Sequence, residues 1–457
     1  MFQHVLCVYP YRKDLKKFRF IPPLGLELIG NVIEPYTRAL DIIDLRYESK
    51  RTADFLRPQT DMVCFSINWK RRVESLQQEI MSVPPEIFTI LGGRHATEDP
   101  EGWLASCPNV DAVVRGDGEE VMEDLCKGVP LENIAGLSFR NGGGIVNNSI
   151  RRLGAIKDQF YPNRSLRRYT YEVEMQNIST GVEFDIFSAS RGCPFKCTFC
   201  SFNFNPWGEK RNWSGRSPES IVEELAQIKA PLVGFTDDIF THDMDRVERI
   251  CDLILERGIR KKYIINARLE IARRPDVIRK MELAGFAMLL LGIESAQDKT
   301  LRSMRKGFNT AKIREYFDVL RDSCLLLHGY FIVGNIGESV AEIKQIVPFA
   351  RELELDTINL TLLRNSPYSG LDKMVAQNPD YHITPTGKIY SKHCSIEEIK
   401  QLRRKLSKEF YTKRQHFRIL NKMRRSGLLK LFLYQNPSHS FRILSSFLKA
   451  QLNGHRR

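Results

Sequence analysis

The 457-residue chain contains no run of about 18 apolar residues, so no segment is suited to cross a bilayer as a helix. Its first residues, Met1-Phe-Gln-His-Val-Leu-Cys-Val-Tyr9, lack a basic stretch and a small-residue cleavage site, and are expected to form a strand and not a signal peptide. The ten cysteines show no disulfide framework. Seven are scattered (Cys7, Cys64, Cys107, Cys126, Cys251, Cys324, Cys394), several inside apolar runs where a thiol behaves as a small hydrophobe. That usage fits a reducing, cytoplasmic setting. No G-x-G-x-x-G follows the first apolar run, which weakens a dinucleotide-binding reading, and the loop after that run has no histidine. Internal repeats and low-complexity tracts are absent as well.

What is present suits a globular protein of two or three domains: 42% hydrophobic and 27% charged residues, enough to bury sizeable cores. The net charge of +14 is concentrated at one end. Residues 395–457 hold sixteen Lys and Arg against three Glu, and everything before is close to neutral.

Three of the cysteines cluster in Cys193-Pro-Phe-Lys-Cys197-Thr-Phe-Cys200, just after Phe184 to Phe187, which reads as a buried strand. A structural zinc site wants four ligands, and the next candidates, His242 and Cys251, lie more than forty positions downstream. A [4Fe–4S] cluster is normally held by four cysteines, so three leave one iron open for a substrate or cofactor to chelate. An incomplete zinc knuckle, or three coincidental buried thiols, are the plainer alternatives. The C-x3-C-x2-C spacing, with Phe199 before the last cysteine, resembles the signature of radical S-adenosylmethionine (SAM) enzymes. That resemblance implies that the open iron binds the amino and carboxylate groups of SAM, and that the reduced cluster cleaves it to a 5′-deoxyadenosyl radical.

Residues 1–130 alternate strands (Val5 to Tyr9, Ala39 to Asp44, Met62 to Ile67, Phe88 to Gly92, Asp111 to Arg115) with helices (Leu24 to Ile33, Arg71 to Met81, Gly118 to Lys127). Such alternation predicts an α/β, doubly wound, Rossmann-like parallel sheet, with ligands at the carboxyl ends of its strands. Glycine-rich loops fall at those ends, where backbone can approach a ligand closely. The layout resembles the cobalamin-binding domain that precedes the barrel in many radical SAM enzymes. Ser66 after the third strand matches with Gly92-Gly93 after the fourth, as do the Pro-Pro-Leu-Gly opening and the Gly-Asp-Gly-Glu loop. On that resemblance Pro23, Gly25, Ser66, Asn68, Gly92, Gly93, His95, Gly116, Gly118 and Glu119 are expected to line cobalamin. With no histidine after the first strand, the lower cobalt face would lack one. His95 is expected to be a loop residue near the nucleotide tail. A cobalamin-free sheet used for docking is the alternative.

Residues 131–182 read as a hairpin (Ala135 to Phe139 with Gly144 to Asn147) and a polar linker. From 183 to 375, βα units repeat. The strand before Cys193 is followed by Leu232 to Phe235, Tyr263 to Asn266, Met288 to Ile293, Leu325 to Val333 and Thr357 to Leu363. Six units resemble the open (β/α)6 partial TIM barrel of radical SAM enzymes, with the site at the strand C-termini. The resemblance assigns SAM contacts to Phe199, Thr236, Asp237, Asp238, Arg268, Glu294, Ser295, Gly334 and Glu338. Each polar strand end could equally be a cap or a solvated loop.

Residues 376–457 form a basic, helical C-terminal region. Pro437 separates Leu428 to Tyr434 from a stripe of Phe441, Leu444, Leu448 and Leu452. Its simplest reading is a helical subdomain packed on the barrel. Peripheral contact with the inner membrane surface and binding of an anionic substrate are the functional ones. Nucleic acid is disfavoured, since no aromatic-lined RNA module is evident.

The resemblance as a whole implies cobalamin-dependent methylation of an unactivated carbon, with a small-molecule or lipid substrate and an electron donor such as flavodoxin or ferredoxin. Three other readings stand beside it. These are radical cyclisation or rearrangement with the same cofactors, a tRNA methylthiotransferase-like enzyme whose second cluster would draw on Cys7, Cys64 and Cys107, and a non-enzymatic iron–sulfur regulator.

Overall fold

The structure, a computed structural model, describes residues 1–434 except 13–18, 70–71, 176–177, 202–203, 205–207 and 367. The chain divides into two units, one built mainly from residues 1–177 and one from residues 178–204 and 210 onward. Each has a core of its own.

In the first unit, β1 (His4–Tyr9), β2 (Leu40–Asp44), β3 (Thr60–Ser66), β4 (Phe88–Gly92) and β5 (Ala112–Val114) form a parallel sheet in the order β2-β1-β3-β4-β5. All six residues of β1 are buried, as expected of a parallel strand covered on both faces. The order reverses at β1, between β2 and β3, and such a switch point opens a crevice at the strand ends. The sequence-predicted elements match these to within two residues, and helix Leu24–Ile33 matches at both ends.

The hairpin expected in the linker belongs instead to this sheet. β6 (Leu137–Asn141) and β7 (Gly144–Asn147) extend it antiparallel beyond β5. Arg115 explains the attachment, because its guanidinium donates to the carbonyls of Leu137 (3.1 Å) and Asn148 (2.5 Å). A further strand, β8 (Glu172–Met175), ends this part of the chain.

In the second unit, β9 (Ile178–Phe187) leads into the cysteine loop. That loop is flanked by the two-residue strands β10 (Ser190–Arg191) and β11 (Ser214–Gly215), which pair with each other. Five more strands follow: β12 (Leu232–Phe235), β13 (Lys262–Ala267), β14 (Phe286–Glu294), β15 (Leu326–Val333) and β16 (Thr357–Leu362). With β9 they form six parallel strands in chain order, the half-barrel expected from the sequence. Alternate residues divide between its faces. Leu289, Leu291 and Ile293 of β14 join the core under the helices, whereas Met288, Leu290 and Gly292 face the other way and stay half-buried. A small antiparallel pair, β17 (Tyr381–Ile383) and β18 (Ile389–Ser391), comes after the barrel strands.

The described part of the basic tail is integral to the half-barrel. Helix Ile396–Phe410 buries Ile399, Leu406 and Phe410 in its core. Helix Lys413–Ser426 lies across the N-terminal strand ends. Gln415 donates to the carbonyls of Leu355 and Asp356, Arg418 pairs with Glu354 and Asp356, Lys422 donates to the Ser323 carbonyl, and Gly427 lies against Lys262. The stripe from Phe441 to Leu452 lies outside the described residues. Among those described, no helix is long and apolar enough to cross a membrane.

Candidate functional site

The cysteine loop is held from several strand ends. A turn in which the Cys200 N–H donates to the Cys197 carbonyl (3.2 Å) brings the second and third cysteines round. Just before the first, Gly192 has φ +85°, and a Cβ there would overlap the carbonyl of Asn212. Its N–H donates to the Asp238 carboxylate at 3.1 Å, fastening the loop to the end of β12. From the end of β13, the Arg268 guanidinium lies over the Phe195 ring, 3.6 Å from its centroid. Phe199 packs against a small apolar cluster that includes Met304, Ile332 and Leu363, and Lys210 donates to the Phe195 carbonyl at 2.5 Å. All three thiols are half-buried, and none is in a disulfide. Burial pushes the Cys193 thiol up, so it keeps its proton until a metal displaces it.

The strand ends behave differently from one another. Thr236 is exposed and bonds back to the Phe187 carbonyl. Asp237, expected to meet SAM, is buried and turned inward, accepting from the Ala189 N–H (3.0 Å) and the Ser190 hydroxyl. Burial pushes its carboxyl up to about 6. It therefore positions the approach to the cysteines. Asp238 beside it is exposed. Arg268 is likewise engaged, donating to the Lys306 carbonyl (2.6 Å) and pairing with Glu270 (3.0 Å).

Glu294 stands at φ +72°, a left-handed conformation uncommon outside glycine, and its Oε1 pairs with the buried Lys306 at 3.2 Å. A Cβ on Gly292 would meet that carboxylate at 2.6 Å, so the glycine makes room for the ion pair. Ser295 is fully buried and accepts from the Gln297 N–H. At the turn after β15, Gly334 and Asn335 direct both N–H groups and the Asn335 side-chain amide onto Oε2 of Glu338. The other oxygen, Oε1, is buried with no hydrogen-bond partner among the described residues. Burial raises this carboxyl to about 7.

In the first unit, the residues proposed for cobalamin gather along the C-terminal edge of the parallel sheet. Ser66 and Gly92 are register partners at the ends of β3 and β4. Asn68 ties the two loops beyond them together, donating to the Ser66 hydroxyl (2.9 Å) and accepting from the Arg94 N–H (3.2 Å). Gly93 has φ +97°, and a Cβ on it would come within 2.6 Å of the Asn68 side chain. Pro23 and Gly25 open the first helix, while Gly116, Gly118 and Glu119 lead into helix Glu119–Cys126. His95 is not in a loop. It sits buried in the short helix Arg94–Glu98, edge-on to Trp103 and 3.8 Å from the Glu98 carboxylate.

A sheet edge lined by glycine and a half-barrel whose strand ends grip three cysteines define an enzyme of two cofactor units. A model of the B12 binding domain matches residues 19–126, and one of the Radical SAM superfamily matches residues 187–350. An uncharacterized methyltransferase of Pyrococcus horikoshii is 27% identical over 85% of this chain and 88% of its own length. Hopanoid C-3 methylase of Methylococcus capsulatus is 30% identical over 69% of this chain, which spans 62% of that relative. Among solved structures, the cobalamin-dependent S-adenosylmethionine radical enzyme OxsB superposes with TM-score 0.70 at 16% identity, a likeness of fold covering 98% of this chain and 75% of that one. The chain belongs to the cobalamin-dependent radical SAM enzymes.

Its cofactors are accordingly a [4Fe–4S] cluster, SAM and cobalamin. The residues present fit them. Beside Gly25 and Gly116 a Cβ would meet nothing within 4 Å, so the sheet edge leaves room against bare backbone. Among the described residues no three His, Cys, Asp or Glu side chains could hold a single metal ion. Three thiols destined for separate irons of one cluster have no need to converge so closely.

The sequence reading missed Phe195, Lys210 and Lys306. No spacing rule marks them, since an aromatic within a cysteine motif and a lysine twelve positions after a glutamate acquire meaning only once the strands are side by side.

Proposed function

We propose that this enzyme methylates an unactivated carbon. The observation that carries the reading is the succession, in one chain, of a glycine-lined sheet edge suited to cobalamin and a three-cysteine loop held at the open end of a half-barrel. The methyltransferase and methylase named among the relatives agree with it. When bound, the reduced cluster supplies the electron that cleaves SAM, and cobalamin supplies the methyl carrier.

The chain's own residues bind and orient. Asp238 and Arg268 fix the loop that presents the thiols. Glu294, held by Lys306, presents a carboxylate able to accept from vicinal hydroxyls such as those of a ribose. The free Oε1 of Glu338 offers a further acceptor at the neighbouring strand end. Cys7 and Cys64 face each other in register inside buried strands, and Cys107 ends helix Pro100–Ser106, an arrangement that favours this reading over a methylthiotransferase with a second cysteine loop.

Anaerobically reconstituted protein should retain cobalamin through gel filtration and form one 5′-deoxyadenosine and one S-adenosylhomocysteine per product. Deoxyadenosine without S-adenosylhomocysteine would point instead to cyclisation or rearrangement.

A reducing, cytoplasmic setting and a one-electron donor such as flavodoxin or ferredoxin complete the proposal. The ten free cysteines support that setting. Helix Lys413–Ser426 exposes Phe417 among Lys413, Arg414, Arg424 and Arg425, which supports peripheral contact with anionic lipid. Sedimentation with anionic vesicles, comparing the native chain with a Phe417→Ser/Arg414→Glu variant, tests it; equal binding removes the idea.

A further inference from the structure

The half-barrel turns alternate side chains away from its helices, and the strand register stacks them into layers. One layer holds Ile186, Ile264, Met288 and Leu326, and the next holds Asn266, Leu290, His328 and Thr357. Above them stand Gly292, Tyr330 and Asn359, and then Ile332, a member of the small apolar cluster against which Phe199 beside Cys200 packs. The face therefore runs without a break up to the cysteine loop. Of its apolar members, Ile264, Met288 and Leu290 are only half-buried, whereas Ile186, Leu326 and Ile332 are buried. Among the described residues of the two lower layers none is charged, and the nearest charges above them are Glu294 and its partner Lys306, which meet the face at Gly292 beside Tyr330. Lys262 lies one step below, its Nζ beside Gly427 of the helical floor.

The polar groups here are neutral. Burial holds the His328 imidazole down at about 4, so it carries no charge at neutral pH. Its Nδ1 is 2.7 Å from the Thr357 hydroxyl, and its ring stands edge-on to Tyr330. Among the described residues nothing lies within hydrogen-bond distance of its Nε2. An anion pressed against the two lower layers would lose its hydration with no partner in return, whereas hydrocarbon would gain by leaving water.

We infer that this face receives the substrate, and that the substrate is a neutral, largely apolar carbon skeleton bearing one uncharged hydrogen-bonding group opposite His328. The inference rests on the methylation reading of the same site and specifies its substrate class.

The test is equilibrium dialysis of the protein loaded with cluster and cobalamin against four probes: tritiated geranylgeraniol, the corresponding alkane, the diphosphate and protoporphyrin IX. The neutral alcohol should bind at least tenfold more tightly than either anion. Leu290→Asp should weaken its binding at least tenfold, while Leu290→Met keeps it. His328→Leu should weaken binding of the alcohol several-fold and leave the corresponding alkane unaffected. Iron content and Tm confirm that each variant is folded. Failure of the alcohol to bind, preference for an anion, or indifference to Leu290→Asp overturns the inference. The expected binding in a protein that forms no S-adenosylhomocysteine would sink methylation and leave the substrate class standing, whereas methylation of a porphyrin would do the reverse.

Discussion

The guanidinium of Arg268 lies 3.6 Å from the centre of the Phe195 ring, so the end of one barrel strand grips the middle of the cysteine loop. The same group donates to the Lys306 carbonyl, and Lys306 in turn pairs with Glu294. Loop, third strand and fourth strand are thus fastened through two cations. Arg268→Met should cost about 1–3 kcal/mol of stability and lower iron loading from about four per chain to less than half. Arg268→Lys, which keeps the charge but not the planar stack, should fall between. Iron assay and cluster absorbance decide it.

Asp237 accepts two hydrogen bonds from the segment that leads into the cysteines. Asp237→Ala leaves the Ala189 N–H and Ser190 hydroxyl without that acceptor, a loss of about 2–3 kcal/mol, and should impair cluster assembly. Asp237→Asn preserves an acceptor and should assemble nearly normally. Urea unfolding of the apoprotein and iron content after reconstitution measure the two effects. Equal behaviour of the variants would remove the positioning role.

Glu294 and Lys306 form a buried pair. Removing either partner alone strands a charge and should destabilise by about 3–5 kcal/mol. Glu294→Gln with Lys306→Met should regain much of that stability while SAM binding stays weak, because the acceptor carboxylate is gone. Unfolding midpoints paired with equilibrium SAM binding separate structural from ligand effects.

At the sheet edge, Gly93 has no room for a side chain. Gly93→Ala should shift the chain around Asn68, cost about 1–3 kcal/mol and reduce cobalamin retention. Iron loading of the half-barrel should remain. Corrin absorption and iron count, read on the same sample, check the separation.

Glu338 titrates higher in the fold, at about 7, than in the unfolded chain. The folded protein then holds that proton more tightly, so the contribution of Glu338 to unfolding free energy is greatest below about pH 4.5 and falls as pH rises to about 7, by at most about 3 kcal/mol. Glu338→Gln should abolish this slope. Urea midpoints of the apoprotein across the window, native against variant, give the comparison.

Much of this molecule was legible from local pattern. The apolar runs of β1 to β5 and of the barrel strands are long enough to announce buried parallel sheets, and the cysteine spacing announces its loop. Arg115 shows where such reading stops. Its link to the hairpin depends on two carbonyls more than twenty residues away, so the hairpin was legible but its attachment to the sheet was not. Asp237 and Asp238 are adjacent in sequence, yet one faces inward and the other outward, and only the fold of the preceding loop decides which. Packing of the basic tail on the barrel was the simplest reading of its sequence, but that Arg418 and Lys422 are the side chains that meet the strand ends was not legible in it.

That helix also sets the timing of folding. Lys422 binds the Ser323 carbonyl and Arg418 binds Asp356, partners synthesised 99 and 62 residues earlier. While the ribosome delivers β9 to β16, the residues that close the lower mouth of the half-barrel have not yet been made, and a domain folds as a unit once enough of it has emerged. The three cysteines are therefore synthesised well before the residues that seal their chamber from below. A chain stalled short of residue 413 would carry all three cysteines on an unfinished vessel.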